Sequence, residues 1–233
     1  MADFSLRASG REYMDEAATE DWDLEQCLRE LARINRLLGG VRSTLDALES
    51  LVGAAPSNSL SILDLGTGAG DIPLAMVRWA ERRGIDIKIT AVDFNPAIVA
   101  WVGKQVHDVP QIEVRQQDVF ALPYAAASFD IVHAGLFLHH FSGERLESLL
   151  QTMHRLCRRG LIVNDLHRHA LAYAGIRLCN ALFCKSCMVR HDGPQSVLRG
   201  FRAIELEELG RRCGIDLALR WRWAFRLVAT AVK

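Results

Sequence analysis

An α/β fold follows from three features of this 233-residue sequence: a seven-stranded mixed sheet, its last strand antiparallel, with helices on both faces. From Leu60 onward, short apolar runs alternate with longer amphipathic ones, the order that parallel strands joined by crossover helices require. The first of these runs ends in a glycine-rich turn, Gly66, Gly68 and Gly70, which leads into a helix. The last two runs are joined by a short link, which suits an antiparallel pair rather than a crossover.

Residues 1–56 read as a helical cap and 57–233 as the main domain. Asp23 with Gln26 three positions on resembles a capping-box start, and Leu24, Cys27, Leu28, Leu31, Ile34 and Leu38 recur at helical spacing. Gly39-Gly40 ends that helix. A second amphipathic run, Val41, Leu45, Leu48, Leu51 and Val52, follows, and Pro56-Ser57-Asn58-Ser59 is a linker by composition. Strands are expected at 61–65, 87–93, 111–116, 128–134 and 160–165. Helices between them start near Asp71, Pro96 and Ser142, the last running to about Arg158. Then come an apolar helix over 169–184, a loop at His191-Asp192-Gly193-Pro194, a helix over 204–213 and strands at 215–220 and 223–231. The helical segment over about 169–200 is expected to act as a lid.

Composition narrows the function classes. No apolar stretch reaches the roughly 18 residues that a membrane-spanning helix needs. The N-terminal residues mix acids and bases without an apolar core, so no secretory signal is read and a cytoplasmic location is expected. Six irregularly spaced cysteines make a poor disulfide framework and are expected as free thiols. With 28 basic and 28 acidic residues, the chain lacks the basic footprint of a nucleic-acid binder. The balance is uneven, however: residues 1–154 carry 13 basic against 22 acidic, and 155–233 carry 15 against 6. Either the two parts pack together in one fold, or a basic rim attracts an anionic substrate or membrane surface.

The segment Ser61-Ile62-Leu63-Asp64-Leu65-Gly66-Thr67-Gly68-Ala69-Gly70-Asp71 carries the chemistry. Gly66 permits a tight turn, Gly68 lets a ligand lie against the backbone, and Gly70 lets helix and strand approach closely. A dinucleotide site would place a third glycine where Asp71 stands, and a carboxylate there repels phosphate. Asp64 and Asp71 favour instead a ligand with an ammonium group and a positive sulfur, the combination that S-adenosylmethionine carries. Asp93 ends the second strand, placed to accept from ribose hydroxyls; Asp118 follows the third, placed to accept from an adenine amine. Each could alternatively be a strand-end turn or a helix cap.

LDLGTGAGDIP, VDFNP, QQDVF and SFDIVHAGLFLHHF resemble the successive motifs of class I S-adenosylmethionine-dependent methyltransferases over roughly residues 60–166. The resemblance implies a Rossmann-like sheet, S-adenosyl-L-methionine as cofactor, and methyl transfer to a small-molecule acceptor. By position, Asp64, Gly66, Thr67, Gly68, Gly70 and Asp71 would line the methionine end, Asp93 and Phe94 the ribose, and Asp118 and Val119 the adenine. Met14-Asp15, Ile34 to Gly40, Asn164 to His169 and His191 to Ser196 resemble the small methyltransferases encoded beside type III polyketide synthases. That narrower resemblance implies O-methylation of a phenolic, polyketide- or lipid-like acceptor; C-methylation of a quinone or polyketide ring, or a non-catalytic cofactor-binding role, are the alternatives.

A phenol must lose its proton to accept a methyl group, and histidine is the usual proton acceptor. His139 and His140 follow the fourth strand, and His167 follows the fifth; His167, with Asp165 to orient it, is the first choice as base. His107, His133 and His154 are assigned to helix or strand bodies. Arg168, Tyr13, Met14 and Tyr173 are expected to meet the acceptor, with the N-terminal helices walling its pocket. Cys179, Cys184 and Cys187 lie in an apolar run and read as core thiols, so no metal is expected. A homodimer is compatible with the sequence.

Overall fold

The computed structural model describes residues 3–15, 21–54 and 57–233; Pro56 of the expected linker lies outside the described residues. After a short 3₁₀ turn, Tyr13–Asp15, the helices α1 (Asp21–Leu37) and α2 (Gly40–Ala54) precede β1 (Ser59–Leu65). The crossover units α3 (Asp71–Glu81), β2 (Asp86–Asp93), α4 (Pro96–Gln105), β3 (Ile112–Gln116), β4 (Phe129–Gly135), α5 (Gly143–Leu156) and β5 (Cys157–Leu166) follow. The chain finishes with α6 (Ala170–Phe183), α7 (Cys187–Arg199), α8 (Ala203–Cys213), β6 (Ala218–Arg222) and β7 (Arg226–Val232).

The sheet order is β3-β2-β1-β4-β5-β7-β6, and β7 runs antiparallel to both neighbours. Adjacent residues of each central strand serve opposite faces. Ile62, Ile131, Ile162 and Val228 join a core beneath α1 to α4, while Leu63, Val132, Val163 and Ala229 join a second core beneath α5 and α8. Being covered on both sides, β1 and β4 are almost continuously buried, as parallel strands are.

The N-terminal helices belong to this architecture. Leu48 of α2 is fully buried, and Leu51 presses on Gly160 of β5, where an added Cβ would lie 3.3 Å from its methyl groups. Asn164 of β5 donates to the Gly40 carbonyl at 2.9 Å and to Thr44 Oγ1 at 2.8 Å. Deleting residues 1–56 is therefore expected to uncover one face of the sheet and produce aggregates on size exclusion; a monomer with a native circular dichroism spectrum would show the cap to be dispensable.

Three local expectations change. Helix α1 begins at Asp21, so Asp23 lies within its first turn, and its carboxylate serves another helix: Oδ2 accepts from Ser186 Oγ at 3.2 Å and from Met188 N–H at 3.1 Å, at the start of α7. Glu30, two turns along α1, accepts from Lys185 N–H at 2.8 Å. The expected loop over residues 191–194 lies inside α7. Pro194 removes one helical hydrogen bond there, but tertiary contacts compensate: Asp192 accepts from the Tyr13 and Met14 N–H groups at 2.8 and 3.1 Å. Gly193 lets α6 approach, since a Cβ would sit 3.0 Å from Ile176. At the chain's end, Ile215 closes the α8 turn by donating to Gly210 O at 2.8 Å, which delays β6 to Ala218.

Candidate active site

The β1 to α3 turn holds three left-handed glycines, with φ of 65° at Gly66, 50° at Gly68 and 69° at Gly70. Their surroundings differ. A Cβ on Gly66 would strike the Phe137 ring at 2.2 Å, and one on Gly70 would press Val102 at 2.9 Å. At Gly68 the nearest atom would be 3.9 Å away, so its backbone borders open space. Asp93, ending β2, closes this cradle: one carboxylate oxygen accepts from Gly68 N–H and the other from Asn95 N–H, each at 3.1 Å. Burial raises the Asp93 carboxyl above its ordinary range, against the pull of those two N–H groups.

Two more carboxylates are held from below. Asp64 of β1 sits beside His133 of β4 in the strand register, and its Oδ1 lies 2.6 Å from His133 Nδ1, both side chains buried. Asp71 accepts from Asn35 Nδ2 at 2.8 Å, and Asn35 in turn accepts from the buried Arg226 at 3.0 Å. Burial raises the Asp71 carboxyl and lowers the Arg226 guanidinium to about 10. With Asp118, these are four of the carboxylates that line one cleft. A pyrophosphate finds like charge there, whereas the sulfonium and ammonium of S-adenosylmethionine find counter-ions. The open Gly68 backbone and the buried, unpartnered Thr67 Oγ1 give it a surface to lie on.

The cleft encloses about 1040 Å³. That lies at the upper end of the roughly 300 to 1,000 Å³ that small-molecule pockets span. Away from the glycine turn the walls become apolar, with Met14, Leu31 and Ile34 on one side and Leu171, Ile176 and Val189 on the other. A polar knot sits where the two halves meet. His139 Nδ1 lies 2.7 Å from Asp165 Oδ1, its Nε2 lies 3.5 Å from Glu12 Oε1, and Glu12 lies 3.2 Å from the Arg199 guanidinium. Burial alone would lower the His139 pKa, but Asp165 and then Glu12 outweigh it and lift it to about 9. His139 is therefore an imidazolium at neutral pH, clamped between two carboxylates.

Of the residues singled out from sequence, Asp64, Gly66, Thr67, Gly68, Asp71, Asp93, Phe94, Asp118, Val119, Met14, His139 and His140 line the cleft. Gly70 stands behind it as a packing glycine. Asp165 is buried beneath His139 rather than beside His167. His167 turns away from the cleft, because the chain stays extended past β5: His167 N–H donates to Phe225 O, and its ring faces His169 and Phe225. Arg168 is buried and bound to Glu205, Gly200 O, Phe4 O and Ser5 O, so it anchors the N-terminal segment instead of an acceptor. Tyr13 stacks on His191 at 3.9 Å, and Tyr173 takes the edge of Phe4.

Glu12 and Arg199 also line the cleft, and nothing in their local sequence marks them, because each arrives from a distant helix or strap; Asn35, inside the Ile34 to Gly40 motif, lines it too. His133 was legible in principle: aligning β1 with β4 sets it beside Asp64. Of the three cysteines, Cys179 lines the cleft while Cys184 Sγ donates to Asn180 and Cys187 Sγ to Asp23. Among the described residues, the cluster whose ligand atoms lie close enough to share an ion is instead Glu12, His139 and His140, within 4.8 Å of one another. Arg199 already brings a fixed positive charge against that carboxylate.

Residues 62–160 match a family model described as a methyltransferase domain. A demethylmenaquinone methyltransferase of Chlorobaculum parvum is 30% identical over 99 residues, 42% of this chain and 37% of that protein. The chain spans no more than half the length of the curated relatives it matches. Among solved structures, an S-adenosylmethionine-dependent methyltransferase from Aquifex aeolicus superposes with a TM-score of 0.64 at 14% identity, covering 92% of this chain and 99% of that one. An O-methyltransferase family protein from Burkholderia thailandensis gives 0.68 at 14% identity, covering 95% and 63%.

Proposed function

We propose that this chain, whose fold is that of the class I S-adenosylmethionine-dependent methyltransferases, moves the methyl group of S-adenosylmethionine to an oxygen of a small phenolic acceptor with an apolar, polyketide- or lipid-like body. The observation that carries the reading is a single cleft with an acidic glycine-turn cradle at one end, apolar walls at the other and a histidine-carboxylate knot between them.

When bound, S-adenosylmethionine supplies an electrophilic methyl group on a positive sulfur. The chain's own task is to hold the acceptor oxygen in line, deprotonated and out of water. Asp64, Asp71 and Asp93 hold the cofactor end, while Met14, Ile34 and Ile176 exclude water from the acceptor end. At the junction, Asp165 fixes the His139 ring, and the Glu12–Arg199 pair closes the polar knot around it. His140, beside His139 at 4.3 Å between ring centroids and lining the cleft, takes the proton.

C-methylation of a quinone or polyketide ring is a second reading, supported by the similarity to a demethylmenaquinone methyltransferase. Incubation with methyl-labelled cofactor and alkylresorcinols, followed by NMR of the product, separates them: an O-methyl ether supports the proposal, a ring methyl moves the reading to C-methylation, and no transfer overturns both. His140→Gln is expected to lower turnover on the order of 10²-fold with nearly constant cofactor affinity. Retention of wild-type turnover at saturating acceptor would leave alignment alone as the source of rate.

A further inference from the structure

One face of α6 is unpartnered. Leu171, Leu178 and Leu182 fall on one helical stripe and are 65%, 62% and 63% exposed, and Phe183 at the helix end is exposed as well. The β6–β7 hairpin continues this surface with the exposed Trp221 and Trp223. Phe225 joins the two: its ring stacks at 5.1 Å on His169, which caps α6, and meets Trp221 edge-on at 6.1 Å. Leu171 and Trp223 both line the cleft, so the patch borders its mouth.

Within these two segments the charges have one sign. No Asp or Glu occurs between Leu166 and His191, nor from Leu217 to Lys233, while Arg177 and Lys185 are exposed on and just beyond α6. A contiguous exposed apolar patch marks an interaction surface, and an apolar helix face with cationic flanks and neighbouring tryptophans is the pattern that lies in a membrane interface. A second copy of the chain fits less well. A two-fold contact would set Arg177 and Lys185 near their own copies, with no acidic residue in either segment to answer them.

We propose that α6 and the β6–β7 hairpin seat the protein on an anionic lipid surface with the cleft mouth toward the bilayer, by a peripheral contact. Seating requires neither the cofactor nor methyl transfer; it extends the proposed function by giving a lipid-like acceptor a route into the cleft without crossing water.

The test is co-sedimentation of the full chain with vesicles of phosphatidylcholine alone and of phosphatidylcholine mixed with phosphatidylglycerol. Two cations at the surface predict roughly 30-fold stronger binding to the anionic vesicles, weakening as salt is added. The double variant Leu178→Glu with Leu182→Glu, whose side chains lie outside the cleft, is expected to lose at least tenfold of that binding while keeping the wild-type thermal melting curve. Equal partition into both vesicles, or none into either, overturns the proposal. So does a wild-type dimer, seen by light scattering, that the double variant dissociates. Titration of both proteins with S-adenosylhomocysteine reports separately on the cofactor reading, whose failure leaves the seating result standing.

Discussion

Asp93→Ala is expected to weaken binding of S-adenosylmethionine and S-adenosylhomocysteine by on the order of 10²-fold or more, in a protein that remains folded. Charge-assisted hydrogen bonds contribute about 1.5 to 3 kcal/mol each. This carboxylate is placed to accept from ribose hydroxyls while also bracing the turn through Gly68 N–H and Asn95 N–H. The substitution therefore removes ligand contacts and loosens the cradle that presents Gly68. Titration calorimetry measures the change. Unchanged affinity in a folded variant, or tighter binding of NAD than of S-adenosylmethionine by the wild type, would remove the cofactor assignment.

Asp165→Ala carries the largest expected cost in stability, about 3 to 5 kcal/mol, because it strands buried positive charge. Asp165 accepts from His139 N–H at 3.1 Å and from Leu166 N–H at 2.7 Å, pairs with the His139 ring, and offsets the buried Arg226. The deficit depends on pH in a defined direction. The His139 pKa is raised from 6.5 to about 9 on folding, so its stabilising contribution is complete below 6.5 and fades as pH rises through about 9. The variant keeps only the Glu12 partner and has less to lose. The stability gap between wild type and Asp165→Ala should therefore narrow from pH 6.5 to 9, as denaturant titrations at the two values will show. A gap that stays constant over this range would mean that His139 is neutral in the folded protein.

The glycine-turn end of the cleft was legible because its determinants are local. Gly66, Gly68, Gly70 and Asp71 follow one strand directly, and Asp93 ends the next, so chain order alone brings them to neighbouring strand ends. The histidine-carboxylate knot is assembled from segments far apart in sequence: Glu12 from the N-terminal strap, His139 after β4, Asp165 from β5 and Arg199 from the end of α7. Which histidine Asp165 would meet depended on how far β5 stayed extended. Its continuation through the His167 to Phe201 bridge sent His167 to the hairpin and left the carboxylate to His139. The loop expected at His191 to Pro194 failed for a related reason, since local breakers were overridden by Asp192 and Gly193 packing against the strap and α6.

The carboxylates of Asp23 and Glu30, which meet the N–H groups at the start of α7 from another helix, have a bearing on how such a protein diversifies. Most of the apolar wall belongs to α1, α6 and α7, outside the segment that carries the glycine turn. A graft of α6 and α7 from a relative would bring new walls, yet Asp23 and Glu30 would hold it only if its first α7 turn set the same backbone N–H groups against α1. The three helices thus form one transplantable cassette in two pieces of sequence, and changes of acceptor should be inherited as the pair while the cofactor turn stays behind untouched.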